Sequence, residues 1–158
     1  MDFLEIVKRL THEQVEFVII GGFAATIYGC TLVTQDLDLC CNFSNENLQR
    51  LEKALAGLNP VHRMTPKRKK FALTEIDVKN LKNLYLDTDI GVLDCLSFVE
   101  GVGSFETVKA KSICIKTEGI EFYTLGLDAL IESKEAMARE RDRQAVIQLK
   151  SIRETQSS

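Results

Sequence analysis

Two aspartates in the first quarter of the chain are spaced so that both could ligate one metal ion. Asp36 and Asp38 lie in the segment 35–41, where acidic residues alternate with leucines before the sequence becomes apolar. This alternation predicts a β-strand, so both carboxylates would leave one face with their Cα atoms about 6.5 Å apart. Hard divalent cations prefer such oxygen ligands, although the same triplet alone is more often the acidic, exposed face of an edge strand.

A pair of glycines separates the two predicted elements that precede these aspartates. The apolar segment 15–20 predicts a buried strand and the segment 23–28 a short helix, with Gly21 and Gly22 between them. Glycines at such a junction allow backbone N–H groups to approach a phosphate at the helix N-terminus. A tight turn with positive φ would require the same residues, and their spacing matches neither the Walker nor the dinucleotide-binding motif.

The order of apolar strand, glycine pair, short helix and T-x-D-L-D, which begins at Thr34, resembles the DNA polymerase beta-like nucleotidyltransferase superfamily. The resemblance implies that Asp36 and Asp38 bind Mg²⁺ or Mn²⁺. It also implies that Gly21 and Gly22 hold the triphosphate of a nucleoside triphosphate (NTP).

The resemblance further implies a third metal-binding and catalytic acid on a neighbouring strand, for which Asp94 is the best match. Asp94 lies in the apolar segment 91–98 with no basic residue nearby in sequence. A buried carboxylate without a partner is costly, and a metal ion would supply that partner. Asp77, Asp87 and Asp89 are alternatives, but polar or turn-like sequence surrounds them.

The last third of the chain resembles, less specifically, a small bacterial branch related to abortive-infection, toxin-type nucleotidyltransferases. In that branch a helix carries a lysine that is followed by a basic residue and an acid, matched here by Lys134, Arg139, Asp142 and Arg143. The resemblance implies that Lys134 contacts the triphosphate and that Arg143 assists it or pairs with Asp142. A solvated helix face with oppositely charged i,i+4 pairs would account for the same residues. The whole resemblance covers roughly residues 15–149.

The elements that must position these residues alternate between strands and helices. Further strands are predicted at 84–86, 91–98, 112–116 and 120–123, and two helices follow them. We therefore expect an α/β (α+β) nucleotidyltransferase fold: a small mixed, mostly antiparallel sheet flanked by helices, with a C-terminal helical segment beside the cleft. The polar segment 61–83 predicts only a hairpin or a mobile loop.

Length and composition favour a single domain. The 158 residues, of which 45% are hydrophobic and 27% charged, suit one domain over residues 1–158, with a core at about 15–125 and C-terminal helices at about 126–153. No apolar run is long enough to cross a bilayer, and the first residues lack the pattern of a signal peptide. Five cysteines without a C-x-x-C pair favour reduced thiols, so we expect a cytoplasmic protein.

The charge of the chain bears on its partners. A net charge of −3 argues against strong sequence-independent binding to nucleic acid, so no DNA partner is expected. The basic run 67–70 could clasp the backbone of an RNA acceptor, although such a run is more often a solvated loop. The partners that the resemblance implies are an NTP such as ATP, a tRNA or protein acceptor and, for a toxin of a toxin–antitoxin pair, an antitoxin.

The expected reaction is transfer of a nucleoside monophosphate from an NTP to a hydroxyl of RNA, protein or a small molecule. Asp36, Asp38 and Asp94 would hold the metal, and Asp94 would accept the proton of the attacking hydroxyl. The alternative is a domain that has kept the fold as a nucleotide- or partner-binding module without turnover.

Overall fold

The computed structural model describes residues 2–157, in which helices and strands alternate much as the sequence predicts. Six helices occur in this range: α1 (Phe3–His12), α2 (Gly21–Tyr28), α3 (Asn45–Ala54), α4 (Phe105–Ala110), α5 (Leu127–Met137) and α6 (Glu140–Ser157). The strands are β1 (Phe17–Ile20), β2 (Asp36–Cys41), β3 (Val61–His62), β4 (Asn83–Thr88), β5 (Gly91–Leu96), β6 (Phe98–Val99), β7 (Gly103–Ser104), β8 (Ser112–Thr117) and β9 (Ile120–Leu125).

Seven of these strands form one mixed sheet in the order β3-β4-β5-β2-β1-β9-β8. The pairs β1–β9 and β2–β5 are parallel, and the remaining four neighbouring pairs are antiparallel. The strands β6 and β7 pair separately as a two-stranded sheet. The prediction of a mixed, mostly antiparallel sheet flanked by helices is confirmed.

The central strands are apolar on the face that enters the core. In β2, Leu37 and Leu39 are fully buried, whereas the acidic residues between and before them remain partly accessible. The helix α1 contributes Ile6, Val7 and Leu10 to the same core. Burying branched and aliphatic side chains in this way is the main favourable term in folding, and it fixes which face of β2 presents the acids.

The segment 61–83 contains a hairpin and two short 3-10 turns. The backbone N–H of His62 donates to Lys69 O at 2.8 Å, and Val61 forms a bridge with Lys70, so residues 63–69 make the tip of this hairpin. The 3-10 turns Leu73–Glu75 and Val78–Asn80 then lead into β4. The hairpin lies at the β3 edge of the sheet, beyond β4 and β5.

The C-terminal helices pack against each other and against α2. Ala138 adopts a left-handed conformation with φ 55° between them, which ends α5 and redirects the chain into α6. The helix α6 continues to Ser157, beyond the expected end near residue 153. Across residues 2–157, no helix combines the length and the apolar character that crossing a membrane requires.

All five cysteines are free thiols, as the sequence predicts. Four of them are buried, and Cys114 on the edge strand β8 is exposed. Buried free cysteines act as small apolar side chains, so they belong to the core and not to a metal site.

Candidate active site

Three carboxylates meet on one face of the central sheet. Asp36 and Asp38 lie on β2, and Asp94 lies on the parallel neighbour β5, where it is in register with Asp38. One oxygen atom from each of the three carboxylates can be chosen so that all lie within 4.8 Å of one another. The parallel register of β2 with β5 therefore brings together the three aspartates that the sequence groups.

The glycine pair lies directly against this group. Ile20, the last residue of β1, is paired with Asp38, so the turn into α2 passes beside the Asp38 carboxylate. Gly21 has a φ of +69°, and a Cβ atom added there would overlap Asp38 Oδ2. A Cβ atom on Gly22 would lie 2.7 Å from Thr34 Oγ1. Both close contacts favour glycine at these positions, and within residues 2–157 no side chain caps the first N–H groups of α2.

The surroundings of Asp38 disfavour its negative charge. Burial, followed by the charges of Asp94 and Asp36, raises the pKa of Asp38 to about 7, and the opposing effects of Lys134 and Arg141 are smaller. No ion pair or hydrogen bond to the side chain of Asp36 or Asp38 occurs among the residues that the structure describes. A divalent cation between these oxygens would relieve both the like-charge repulsion and the desolvation.

The sequence predicts that Asp94 is a buried carboxylate without a partner, but in the structure it has one. Arg63 binds it with both arms of its guanidinium group, Nη1 to Oδ1 at 2.6 Å and Nη2 to Oδ2 at 3.1 Å. Arg63 follows β3 and is 31 positions away from Asp94 in the sequence. Since it lies in a segment that matched no motif, no sequence pattern indicated this contact.

Lys134 is buried at the junction of the sheet and the C-terminal helices. Its Nζ lies 3.6 Å from Asp142 Oδ1. Burial lowers the pKa of Lys134, and the charge of Asp142 partly offsets that effect. Lys134 thus pairs with Asp142, and its charge also acts on Asp38.

Asp142 is fully buried and holds two basic residues together. Arg139 donates from Nε to Oδ2 at 2.6 Å and from Nη2 to Oδ1 at 3.2 Å, and its backbone N–H also donates to Oδ2. Burial opposes the charged form, but these hydrogen bonds, the charge of Arg139 and that of Lys134 hold the pKa of Asp142 below its ordinary value. Asp142 thus acts on Lys134 and does not itself line the cavity described next.

A cavity of about 300 Å³ joins the acidic and basic groups. Asp36 and Asp38 line it from β2, and Lys134, Arg139 and Arg141 line it from the C-terminal part of the chain. Gly22 and Ala25 of α2, Ala145 of α6 and residues of the loop before β2, including Thr34, complete the lining. Carboxylates next to three basic side chains suit a ligand that is anionic and carries a divalent cation, such as a metal-bound polyphosphate.

The predicted residues do not all meet at this cavity. Arg143 points elsewhere, because its Nη1 lies 3.6 Å from Glu140 Oε2 and its side chain is 68% exposed. Asp142, its expected partner, is paired with Arg139 and Lys134. Arg141, two residues before Arg143, lines the cavity although no motif assigned it. Ala138, the left-handed residue between α5 and α6, interrupts the helix. A helical period counted from Lys134 therefore could not identify which arginine faces the cavity.

The donor set fits Mg²⁺ or Mn²⁺. Three carboxylates supply hard oxygen ligands, and neither histidine nor cysteine belongs to the group. Both ions prefer such ligands and commonly complete their coordination with water and substrate phosphates.

Comparison with known proteins identifies the fold but not a sequence family. No protein-family model matches the chain, and no relative was found among curated protein sequences. A structure described as a candidate nucleotidyltransferase from Thermotoga maritima matches with a TM-score of 0.50 and 12% identity, covering 99% of this chain and 89% of that chain. The aminoglycoside nucleotidyltransferase ANT(2")-Ia, in complex with adenylyl-2"-tobramycin, matches with a TM-score of 0.50 and 14% identity, covering 94% and 95%. The chain has the nucleotidyltransferase fold.

Proposed function

We propose that this chain is a metal-dependent nucleotidyltransferase that moves a nucleoside monophosphate from an NTP to a hydroxyl acceptor. The observation that supports this best is the cavity at which Asp36 and Asp38 meet three basic side chains, with Asp94 in register beside them. One of the similar solved structures, ANT(2")-Ia, is in complex with adenylyl-2"-tobramycin.

The NTP would bind with its triphosphate between the glycine turn and the C-terminal helices. The backbone N–H groups at Gly21 and Gly22 would donate to phosphate oxygens at the start of α2. Lys134, Arg139 and Arg141 would supply positive charge from the other part of the lining. Asp36 and Asp38 would hold Mg²⁺ or Mn²⁺, with Asp94 as a third ligand.

The reaction would require little covalent chemistry from the protein. The acceptor oxygen forms a bond to the α-phosphorus, the bond from that phosphorus to the bridging oxygen of the β-phosphate breaks, and pyrophosphate leaves with the electron pair. Asp94 would accept the proton of the acceptor hydroxyl. Asp36 and Asp38 would hold a metal that neutralises charge on the phosphates, and Lys134, Arg139 and Arg141 would position the leaving pyrophosphate.

The acceptor remains a choice among RNA, protein and a small molecule. The neighbour ANT(2")-Ia is in complex with an adenylylated small molecule, adenylyl-2"-tobramycin. The basic residues 67–70 are exposed on the hairpin tip and at the bridge that closes it, on the same hairpin as Arg63, which is compatible with an RNA acceptor such as tRNA. A toxin role with an antitoxin partner stays a prediction from the sequence resemblance alone.

A second function, nucleotide or partner binding without turnover, is favoured by one observation. Arg63 neutralises Asp94 without a metal ion, so the third carboxylate has a protein partner already. Magnesium–NTP binding measured by calorimetry, together with turnover, separates this module from the enzyme.

The function is tested by incubating the protein with each of the four α-labelled NTPs, Mg²⁺ or Mn²⁺, and total RNA and protein extract. The proposal predicts a labelled product and released pyrophosphate with at least one NTP. The variant Asp36→Asn/Asp38→Asn should bind no Mn²⁺ and form no product while keeping its circular dichroism spectrum. Tight NTP binding with no product under any condition would favour the binding module.

A further inference from the structure

Arg63 pairs with Asp94, the same carboxylate that a metal ion bound by all three aspartates would need as a ligand. The guanidinium group takes both oxygens of Asp94, and the side chains of Arg63 and Asp94 are only 24% and 13% exposed. Two-armed pairing of this kind is the strongest geometry that arginine offers to a carboxylate.

The sheet brings Arg63 to Asp94 across one intervening strand. The backbone N–H of Arg63 donates to Tyr85 O at 2.8 Å, and Tyr85 on β4 is in register with Asp94 on β5. The guanidinium carbon lies 5.7 Å from the centre of the Tyr85 ring. Arg63 is therefore held at its backbone and on the ring, while the rest of its hairpin tip is largely exposed.

The three carboxylates differ in what already balances their charge. Asp94 has Arg63, whereas the side chains of Asp36 and Asp38 have no ion pair or hydrogen bond in the described part of the chain. A cation bound by all three would lie within a few ångströms of the guanidinium group, since their nearest oxygens are within 4.8 Å of one another. Two positive charges at that separation repel, so full ligation by Asp94 and pairing with Arg63 oppose each other.

We propose that Arg63 is the resident counter-ion of Asp94 and that a divalent metal must displace it. The inference rests on the proposed metal-dependent function. In the nucleotide-free protein Asp36 and Asp38 would hold the metal alone, and Asp94 would be added as a ligand only where the metal displaces Arg63 from its oxygens. Arg63 is in this sense a positioning residue, because it determines which carboxylates ligate the metal.

The test measures Mn²⁺ binding to the full chain without nucleotide, by the electron paramagnetic resonance signal of free Mn²⁺. Arg63→Gln should bind Mn²⁺ about tenfold more tightly than the wild type, since a charge-assisted pair no longer competes. Arg63→Gln/Asp94→Asn should lose that gain, because the added ligand is Asp94. The matched control is Arg68→Gln, which removes one positive charge from the same hairpin. Because Arg68 pairs with Asp87 and not with Asp94, this variant should bind Mn²⁺ as the wild type does.

Three results would overturn the exchange while leaving the proposed function standing. Weaker Mn²⁺ binding by Arg63→Gln would mean that Arg63 orients Asp94 for the metal. A gain that persists in Arg63→Gln/Asp94→Asn, or that appears equally in Arg68→Gln, would mean that net charge alone is responsible. If neither wild type nor Arg63→Gln binds Mn²⁺, the metal-dependent function is wrong and the exchange with it. Arg63→Lys keeps the positive charge but not the bidentate geometry of the guanidinium group, so it should bind Mn²⁺ with intermediate affinity. It provides a second variant in case Arg63→Gln does not fold.

Discussion

At the scale of single residues, the charge of Asp38 links the site to folding stability. Burial and the neighbouring acids raise its pKa to about 7, whereas an aspartate in the unfolded chain ionises near pH 4. Between about pH 4 and pH 7 the folded protein therefore binds a proton that the unfolded chain lacks. The free energy of unfolding of the metal-free protein should fall as the pH rises through this range, by at most about 4 kcal/mol from this group.

Chemical denaturation with a chelator present, at about pH 4.5 and about pH 7.5, measures this effect. Asp38→Asn removes the titrating group, so its stability should fall less than that of the wild type between the two pH values. Asp77→Asn at an exposed turn should retain the wild-type pH dependence. An equal fall in Asp38→Asn would contradict the assignment.

Two arginines on one helix provide a residue-scale test of the cavity. Arg141 lines the cavity with Asp36 and Asp38, whereas Arg143 pairs with Glu140 at the surface. If the triphosphate binds there, Arg141→Gln should weaken NTP binding by about 2 kcal/mol, the usual scale of a lost charge-assisted contact. Arg143→Gln carries the same change of charge and should bind NTP as the wild type does; calorimetric titration of both variants with NTP makes the comparison.

The residues that sequence could identify are those whose position depends on local spacing. Asp36 and Asp38 are two apart on one strand, and that spacing alone places both on one face. The partner of Asp94 could not be identified in this way, because Arg63 reaches it only through the pairing of β3 with β4 and of β4 with β5. Arg141 was likewise missed because its direction depends on Ala138, the left-handed residue that ends α5.

At the scale of elements, the turn from β1 into α2 is fixed by one glycine. Gly21 has a positive φ, and any side chain there would also overlap Asp38. Gly119, in the β8–β9 hairpin, has a similar φ of +78°, but no atom of the described residues lies within 4 Å of an added Cβ atom. Gly119→Ala should therefore show only the backbone cost of about 1–2 kcal/mol.

Gly21→Ala should lose more stability than Gly119→Ala, because Asp38 must move in addition to the backbone strain. It should also lose Mn²⁺ binding, which Gly119→Ala should keep. Denaturant unfolding and Mn²⁺ titration of the two variants measure these differences. Equal losses of stability with Mn²⁺ binding intact would show that Gly21 serves the turn and not the site.

Elements with a strong apolar period were predictable, and the irregular segment was not. The buried strands and the hairpin around Glu118 and Gly119 follow from patterns of two residues and from Gly119, which accepts positive φ. In contrast, the segment 61–83 has few buried apolar residues, and β3 is only two residues long. Its structure depends on backbone hydrogen bonds to β4 and within the hairpin, which leave no periodic trace in the sequence.

At the scale of the whole molecule, the cavity is assembled from distant parts of the chain. The carboxylates that line it come from β2 near the middle of the sheet, and the basic groups come from α5, α6 and the connection between them at the end of the chain. A ligand that contacts both groups would tie the C-terminal helices to the sheet. Binding energy at such a site stabilises the folded chain as a unit.

We therefore expect magnesium–NTP to raise the melting temperature of the protein more than Mg²⁺ or NTP separately. At a ligand concentration about a hundredfold above Kd, the folded state gains about 2.7 kcal/mol. Scanning fluorimetry of the wild type, Asp36→Asn/Asp38→Asn and Lys134→Ala measures the shift, and each variant should lose most of it because each removes one side of the contact. A nucleoside without phosphates should give little shift, since Lys134 and Arg141 recognise charge. A full shift in Lys134→Ala would mean that the ligand is held at the sheet alone and that the C-terminal helices do not take part in binding.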